Sequence, residues 1–205
     1  LGPQHRTWVL SRLAIEMESM PKAYDHFIVE TWVESVMKFF TSRNFAISAS
    51  DGSVLGYGKS VWAMIDTQSR QPVDIFSIND GLIKEYVETE KPCPIAKSGR
   101  VKVTADAELV RTIDTYYNDV DVNGHINSIK YIEHVLDLFD IDFYKANRLK
   151  RLEVAYVAET YQGDKLSFYR EEVAPLEYAI KVVKIRKETQ ETIEVCRILV
   201  NFVKD

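Results

Sequence analysis

An internal repeat of strand-rich sequence constrains the fold of this chain more than any other feature. Arg12 recurs as Arg151 and Asp25 recurs as Asp164, in both cases 139 positions later and with no gap required. The same order of strand-like runs and turns follows each copy. A repeated set of elements in one chain predicts two domains of the same fold.

The runs within each copy have the composition of β-strands, since they are rich in β-branched and aromatic residues and end at turn-forming residues. The predicted strands cover 7–17, 27–40, 56–66, 101–115, 150–161, 165–173, 176–186 and 192–203. Residues 49–53 predict a hairpin turn. Apolar residues at three- and four-residue spacing predict one long helix over 126–139.

The repeat also predicts the domain boundaries. We expect an N-terminal domain over 1–79, a linker over 80–100 and a C-terminal domain over 101–205. Shifting the helix and the strand before it back by one repeat places both ahead of residue 1. The first domain should therefore lack its opening strand and helix, and the natural protein should extend about 40 residues further.

Composition and simple sequence features argue against several classes of protein. The net charge of −5 disfavours a nucleic-acid-binding protein, which usually carries a basic surface. The 2 cysteines form neither a metal-binding spacing nor a disulfide framework. No apolar run reaches the roughly 18 residues of a membrane span, and no signal peptide opens the sequence, which predicts a cytoplasmic protein.

A polar segment directly before the predicted helix carries the candidate chemistry. It contains Asp121, Asn123, Gly124 and His125. A capped turn alone would explain the first three, because Asp, Asn and Gly favour turns and helix N-caps. His125 could act as a general base. The helix N-terminus would favour its neutral form and a nearby carboxylate its cation, and the sequence leaves this balance open.

The spacing in this segment resembles the Asp-x-Asn-x-His-x-Asn-x-x-Lys-Tyr motif of the acyl-ACP thioesterases of plant plastids and bacteria. Runs centred on Trp8, Trp32 and Trp62 resemble strands in the first half of that family, and 152–164 resembles its second catalytic strand. The resemblance implies an α+β double hotdog fold. In it each half wraps a curved antiparallel sheet around a long helix, and the first half here would be incomplete.

The same resemblance implies a catalytic set, and because the sequence has no Gly-rich phosphate loop, HExxH motif or Cys/His cluster, no metal or nucleotide cofactor is implied. The members of the catalytic set are Asp121, Asn123, His125 and Glu159. Plant members carry a cysteine after that glutamate, whereas this chain has Thr160, so a cysteine nucleophile is not available there. Met20 lies one repeat before Glu159, which predicts one active site per chain and a first half that serves the acyl tail. An ordinary carboxylate at a strand end is the alternative reading of Glu159.

The implied activity is hydrolysis of acyl-ACP to free fatty acid and holo-ACP. Glu159 and His125 would polarise the attacking water, or Glu159 would attack directly and form an anhydride. Asn123 would orient the nucleophile or the carbonyl, and Asp121 would position the loop and tune His125. Backbone N–H groups at the helix start would stabilise the oxyanion. The sequence does not distinguish the two routes.

The implied partner is an acidic acyl carrier protein, which should bind a basic patch. The candidates for that patch are Arg148, Lys150 and Arg151, followed by Lys181, Lys184 and Arg186. Two alternative functions stay open: an acyl-CoA thioesterase and a non-catalytic acyl-binding module. A hotdog dehydratase is disfavoured, because the loop motif matches the thioesterase pattern. The protein could be a monomer or a homodimer.

Overall fold

The computed structural model describes residues 5–205 and divides the chain into two compact units, one ending at Ser98 and one beginning at Gly99. The strands of the first unit are β1 (Arg6–Met17), β2 (Phe27–Val36), β3 (Phe40–Ala49) and β4 (Val54–Asp66). All pairings within this unit are antiparallel, in the order β2-β3-β4-β1. Between residues 5 and 98 the structure contains 3₁₀ turns but no α-helix.

The second unit contains a longer sheet and two helices. Its elements are β5 (Glu108–Asp114), α1 (Ser128–Leu136), α2 (Ile141–Ala146), β6 (Asn147–Tyr156), β7 (Lys165–Ala174), β8 (Glu177–Ile185) and β9 (Thr192–Lys204). The strands pair antiparallel in the order β6-β9-β8-β7-β5. No helix within residues 5–205 is long and apolar enough to cross a membrane.

The internal repeat is a repeat of structure. The order β6-β9-β8-β7 reproduces β1-β4-β3-β2. A β-bulge interrupts the β1–β4 ladder between Leu10 and Arg12, and one interrupts the β6–β9 ladder between Leu149 and Arg151, at the offset of the sequence repeat. The missing opening strand and helix of the first domain concern positions outside the described residues.

The predicted single strand over 27–40 is wrong, because the chain turns after Val36. Met37 N donates to Phe40 O at 2.7 Å, and β3 then runs back along β2. Two features of the sequence explain why β3 was not predicted. The turn over 37–39 contains no Gly, Pro or Asn, and β3 carries buried polar residues, Thr41 and Asn44, where a strand usually shows apolar ones.

Several further boundaries differ from prediction. The strand predicted over 150–161 is β6, Asn147–Tyr156, so Glu159 lies outside it, and the helix predicted over 126–139 ends at Leu136. Only Glu108–Asp114 of the run 101–115 forms a strand. Helix α1 begins two residues later than expected because Asn127 caps it: the Asn127 side chain accepts a hydrogen bond from Ile129 N at 3.1 Å. The short helix α2 was not predicted.

The segment expected to be a linker packs against the first unit as far as Ser98. Glu88 N donates to Val33 O at 2.9 Å, next to a parallel bridge between Val33 and Val87. Lys91 lies over the Trp32 ring, with 4.8 Å between Nζ and the ring centroid. Part of the segment 80–98 therefore contacts strand β2 of the first unit.

The core of the second unit lies between helix α1 and one face of its sheet. Tyr131, Ile132 and Val135 of α1 are buried. The His134 ring meets the Phe168 ring of β7 edge to face, with centroids 6.1 Å apart. Phe168 itself is 0% exposed, so its ring is fully enclosed by this packing.

Phe168→Ala should destabilise the protein by about 3–5 kcal/mol, because it leaves a cavity under α1 that the surrounding structure cannot fill. Urea unfolding followed by circular dichroism would measure this loss. The matched control is Phe27→Ala on β2, where the side chain is 51% exposed and removes little area from water. Equal losses in both variants would contradict this account of the core.

Candidate active site

The segment before α1 folds into a closed loop built on one carboxylate. Asp121 Oδ1 accepts hydrogen bonds from Asn123 N at 2.8 Å and from His125 N at 3.2 Å. The backbone closes the same loop, since Asp121 N donates to His125 O at 2.8 Å and Gly124 N donates to Asp121 O at 3.0 Å. Gly124 has φ +83°, a conformation that glycine adopts at low cost, and a Cβ there would meet open space.

Two backbone hydrogen bonds attach this loop to the rest of the unit. Ile126 N donates to Thr160 O at 2.8 Å, and Asn127 N donates to Asp119 O at 2.7 Å. Thr160 is fully buried. The first bond therefore joins the loop to the connection between β6 and β7, the segment that carries Glu159.

The join places two candidate catalytic side chains in contact. His125 Nε2 and Glu159 Oε2 lie 3.4 Å apart, and their side chains are 24% and 30% exposed. The Tyr161 ring meets the His125 ring edge to face, with centroids 5.1 Å apart. A paired imidazole and carboxylate that solvent can reach are suited to general acid–base chemistry on a bound water.

The backbone around Glu159 is fixed by partners from several elements, although it lies outside any strand. Tyr161 N donates to Asp164 Oδ2 at 3.1 Å, and Thr115 Oγ1 donates to Tyr161 O at 3.2 Å. Lys184 Nζ donates to Glu159 O. Buried backbone groups without a ladder need such partners, and here they hold the candidate glutamate in place.

The four predicted site residues differ in the contacts that their side chains make. His125 and Glu159 meet, as described above. The Asp121 carboxylate is engaged by the amides of its own loop. Asn123 is exposed, and its side-chain amide makes no hydrogen bond to the part of the chain that the structure describes. Its role towards a substrate stays a prediction.

Few of the backbone N–H groups at the start of α1 remain available to bind an oxyanion. The N–H groups of Ile126, Asn127 and Ile129 already donate to acceptors in the protein. The Ser128 N–H has no acceptor within residues 5–205. It is therefore the amide at this helix start that could serve an oxyanion.

Neither cysteine belongs to the predicted catalytic set. Cys196 is completely buried in β9, and Cys93 Sγ lies 3.7 Å from Gly58 O in the first unit. Burial raises the pKa of both thiols, which favours the unreactive protonated form. No group of three or more His, Cys, Asp or Glu within residues 5–205 is arranged to hold a metal ion.

Several residues of the two predicted basic patches are buried or paired with carboxylates. Lys184 is 3% exposed, so its assignment to a surface patch is wrong. Arg151 pairs with Glu153 at 2.9 Å and Arg186 pairs with Glu191 at 3.3 Å. The sequence could not reveal this, because it fixes which strand positions share a face but not which face the helix covers.

The fold is the double hotdog fold of thioesterases, as the sequence predicted. An acyl-ACP thioesterase from Bacteroides thetaiotaomicron superimposes with a TM-score of 0.89 at 47% identity, covering 99% of this chain and 79% of that one. The 12:0-ACP thioesterase from Umbellularia californica gives a TM-score of 0.83 at 19% identity, covering 100% and 78% of the two chains. The second match supports the fold alone.

The chain belongs to the acyl-ACP thioesterase family. The model of the acyl-ACP thioesterase N-terminal domain matches residues 1–86, and that of the C-terminal domain matches residues 103–202. A chloroplastic palmitoyl-acyl carrier protein thioesterase from Arabidopsis thaliana is 27% identical over 156 residues, covering 74% of this chain. The chain spans 38% of the length of that relative.

Asp121→Ala should loosen the loop, because the Asn123 and His125 amides lose their shared acceptor. Each such bond to a charged group contributes about 1.5–3 kcal/mol, so hydrogen exchange at these amides should accelerate by about tenfold or more. Asp121→Asn keeps one acceptor oxygen and should exchange more slowly than Asp121→Ala. Asp51→Ala removes a similar contact, to Ser53 N at 2.9 Å, and serves as control. Unchanged exchange in Asp121→Ala would contradict the role of this carboxylate.

His134 should give the stability a pH dependence. Burial lowers the pKa of His134 below its usual 6.5, although Asp119, 3.8 Å away, acts in the opposite direction. The unfolded chain therefore binds this proton first as the pH falls below 6.5. Stability contributed by neutral His134 should be present above that pH and be lost as the pH falls through the folded-state pKa. Urea titrations at several pH values should show a flatter slope in His134→Gln, and an unchanged slope would contradict this.

Proposed function

We propose that this protein hydrolyses acyl-ACP thioesters to free fatty acid and holo-ACP in fatty acid biosynthesis. The observation that carries the proposal is the 3.4 Å contact between His125 and Glu159, formed by the loop that bears the family motif. Family membership over both halves of the chain supports the substrate class. The relatives include a palmitoyl-acyl carrier protein thioesterase and an oleoyl-acyl carrier protein thioesterase.

The reaction needs an activated water and a stabilised oxyanion. Glu159 and His125 would take a proton from water as its oxygen attacks the thioester carbonyl. Collapse of the tetrahedral intermediate breaks the C–S bond, and the proton then passes to the departing sulfur to give the carrier thiol. Direct attack by the Glu159 carboxylate would instead break the C–S bond, release the carrier thiolate, which takes up a proton, and form an anhydride that water then hydrolyses. The Ser128 N–H is the proposed oxyanion donor at the helix start.

One active site per chain is consistent with the repeat. Met20, the counterpart of Glu159 in the first unit, has an apolar side chain that is 56% exposed and cannot exchange protons with water. The remaining loop residues then divide their tasks. Asp121 holds the loop, and Asn123 offers an exposed amide to the substrate carbonyl or to the nucleophile.

Glu159→Ala and His125→Ala should each lower kcat for acyl-ACP by about 10²- to 10⁴-fold, the usual contribution of a general acid or base. Turnover of carrier proteins bearing 12-, 16- and 18-carbon acyl chains would be measured by release of free thiol. Glu188→Ala, in the exposed turn between β8 and β9, is the matched control and should keep wild-type turnover.

The outcomes separate the competing functions. Full turnover in Glu159→Ala would remove that residue from the mechanism while keeping the enzyme. Faster turnover of acyl-CoA than of acyl-ACP would favour an acyl-CoA thioesterase. Acyl chains that bind to the wild type without being hydrolysed would mark it as a binding module.

A further inference from the structure

A buried lysine lies directly behind the candidate glutamate. Lys184 of β8 is 3% exposed, and its Nζ donates a hydrogen bond to the backbone oxygen of Glu159. The Tyr161 ring lies beside the same ammonium group, with 5.8 Å between Nζ and the ring centroid. Nothing in the loop motif points to this residue, since it is 25 positions further along the chain than Glu159.

The sheet register explains why this lysine points inward. Lys184 lies opposite Leu166 of β7, and Val182 lies opposite Phe168. Since residues two apart on a strand share a face, Lys184 lies on the same face as Phe168. That face is covered by α1, because the Phe168 ring meets His134 of the helix.

Burying the ammonium group of a lysine in this position costs free energy, because apolar side chains surround it. Leu166 and Val182 around it are both 0% exposed. Burial lowers the pKa of Lys184, and the nearby Asp164 carboxylate acts in the opposite direction. A group that is expensive to bury persists where it has a defined partner, and here the partner is the carbonyl of Glu159.

The hydrogen bond from Lys184 fixes one peptide group, and the catalytic loop fixes the next one along the chain. Lys184 holds the carbonyl of Glu159, and Ile126 N holds the carbonyl of Thr160 at 2.8 Å. Two successive carbonyls are thus held from β8 and from the chain immediately after His125. This restraint sets the direction in which the Glu159 side chain leaves the backbone. Misplacement by about 1 Å can lower a rate by about 10²-fold.

We propose that Lys184 is a positioning residue of the thioesterase, holding the backbone of Glu159 so that its carboxylate faces His125. The inference rests on the proposed function, because it assigns a task within that reaction. Lys184 touches neither the substrate nor the reacting atoms in this scheme. It acts through Glu159, and so its contribution should disappear when the Glu159 carboxylate is absent.

A double-mutant cycle tests this dependence. Lys184→Met keeps the length of the side chain but removes the donor, and should lower kcat for acyl-ACP by about 10- to 100-fold with little change in KM. Lys184→Gln keeps an N–H donor and should recover part of that loss. In a Glu159→Ala background, Lys184→Met should cause no further loss, because the residue it positions is gone.

The control is Lys165→Met at the start of β7, where the lysine pairs with Asp114 at the surface and should leave kcat unchanged. Wild-type kcat in Lys184→Met, or equal losses with and without the Glu159 carboxylate, would overturn the inference while leaving the proposed function intact. If circular dichroism finds Lys184→Met unfolded, the same cycle with Lys184→Gln decides. Absence of turnover in the wild type would instead overturn the proposed function, and this inference with it.

Discussion

The candidate active site depends on one backbone hydrogen bond, from Ile126 N to Thr160 O. It joins the loop that carries His125 to the connection that carries Glu159, two segments that are separated by the whole of α1, α2 and β6. Because Thr160 is buried, water does not compete for this bond. The 3.4 Å contact between His125 and Glu159 lies next to this bond, and the buried side chains of Tyr131, Ile132 and Val135 hold α1 on the sheet.

Around this bond, several charged side chains fix backbone groups of the unit. The Asp121 carboxylate holds two amides of its own loop, and the Asp164 carboxylate holds the amide of Tyr161. Lys184 holds a carbonyl in the same way. Charged groups that partner backbone dipoles in a partly buried site form stronger bonds than neutral ones do. The side chains of His125 and Glu159 are 24% and 30% exposed, which leaves them partly accessible to a substrate.

The two units share one sheet design but differ at the position of the candidate glutamate. Both units have the same strand order and the same bulge, at Leu10–Arg12 and at Leu149–Arg151. The chemistry differs because side chains at matching positions differ, with Met20 where the second unit has Glu159. The two units thus share strand order and bulge position, whereas the second unit also carries the loop with His125 and the connection with Glu159.

The sequence by itself determined the features that depend on neighbouring residues. The strand runs, the hairpin at 49–53 and the Asp121 loop are local, since turn formers and capping side chains act over a few positions. Sequence did not separate β2 from β3, because the turn between them lacks turn-forming residues. Only the tertiary structure decided that His125 meets Glu159 and that Lys184 is buried behind it. Period-two alternation assigns residues to a shared face, but the packing of α1 determines which face becomes the core.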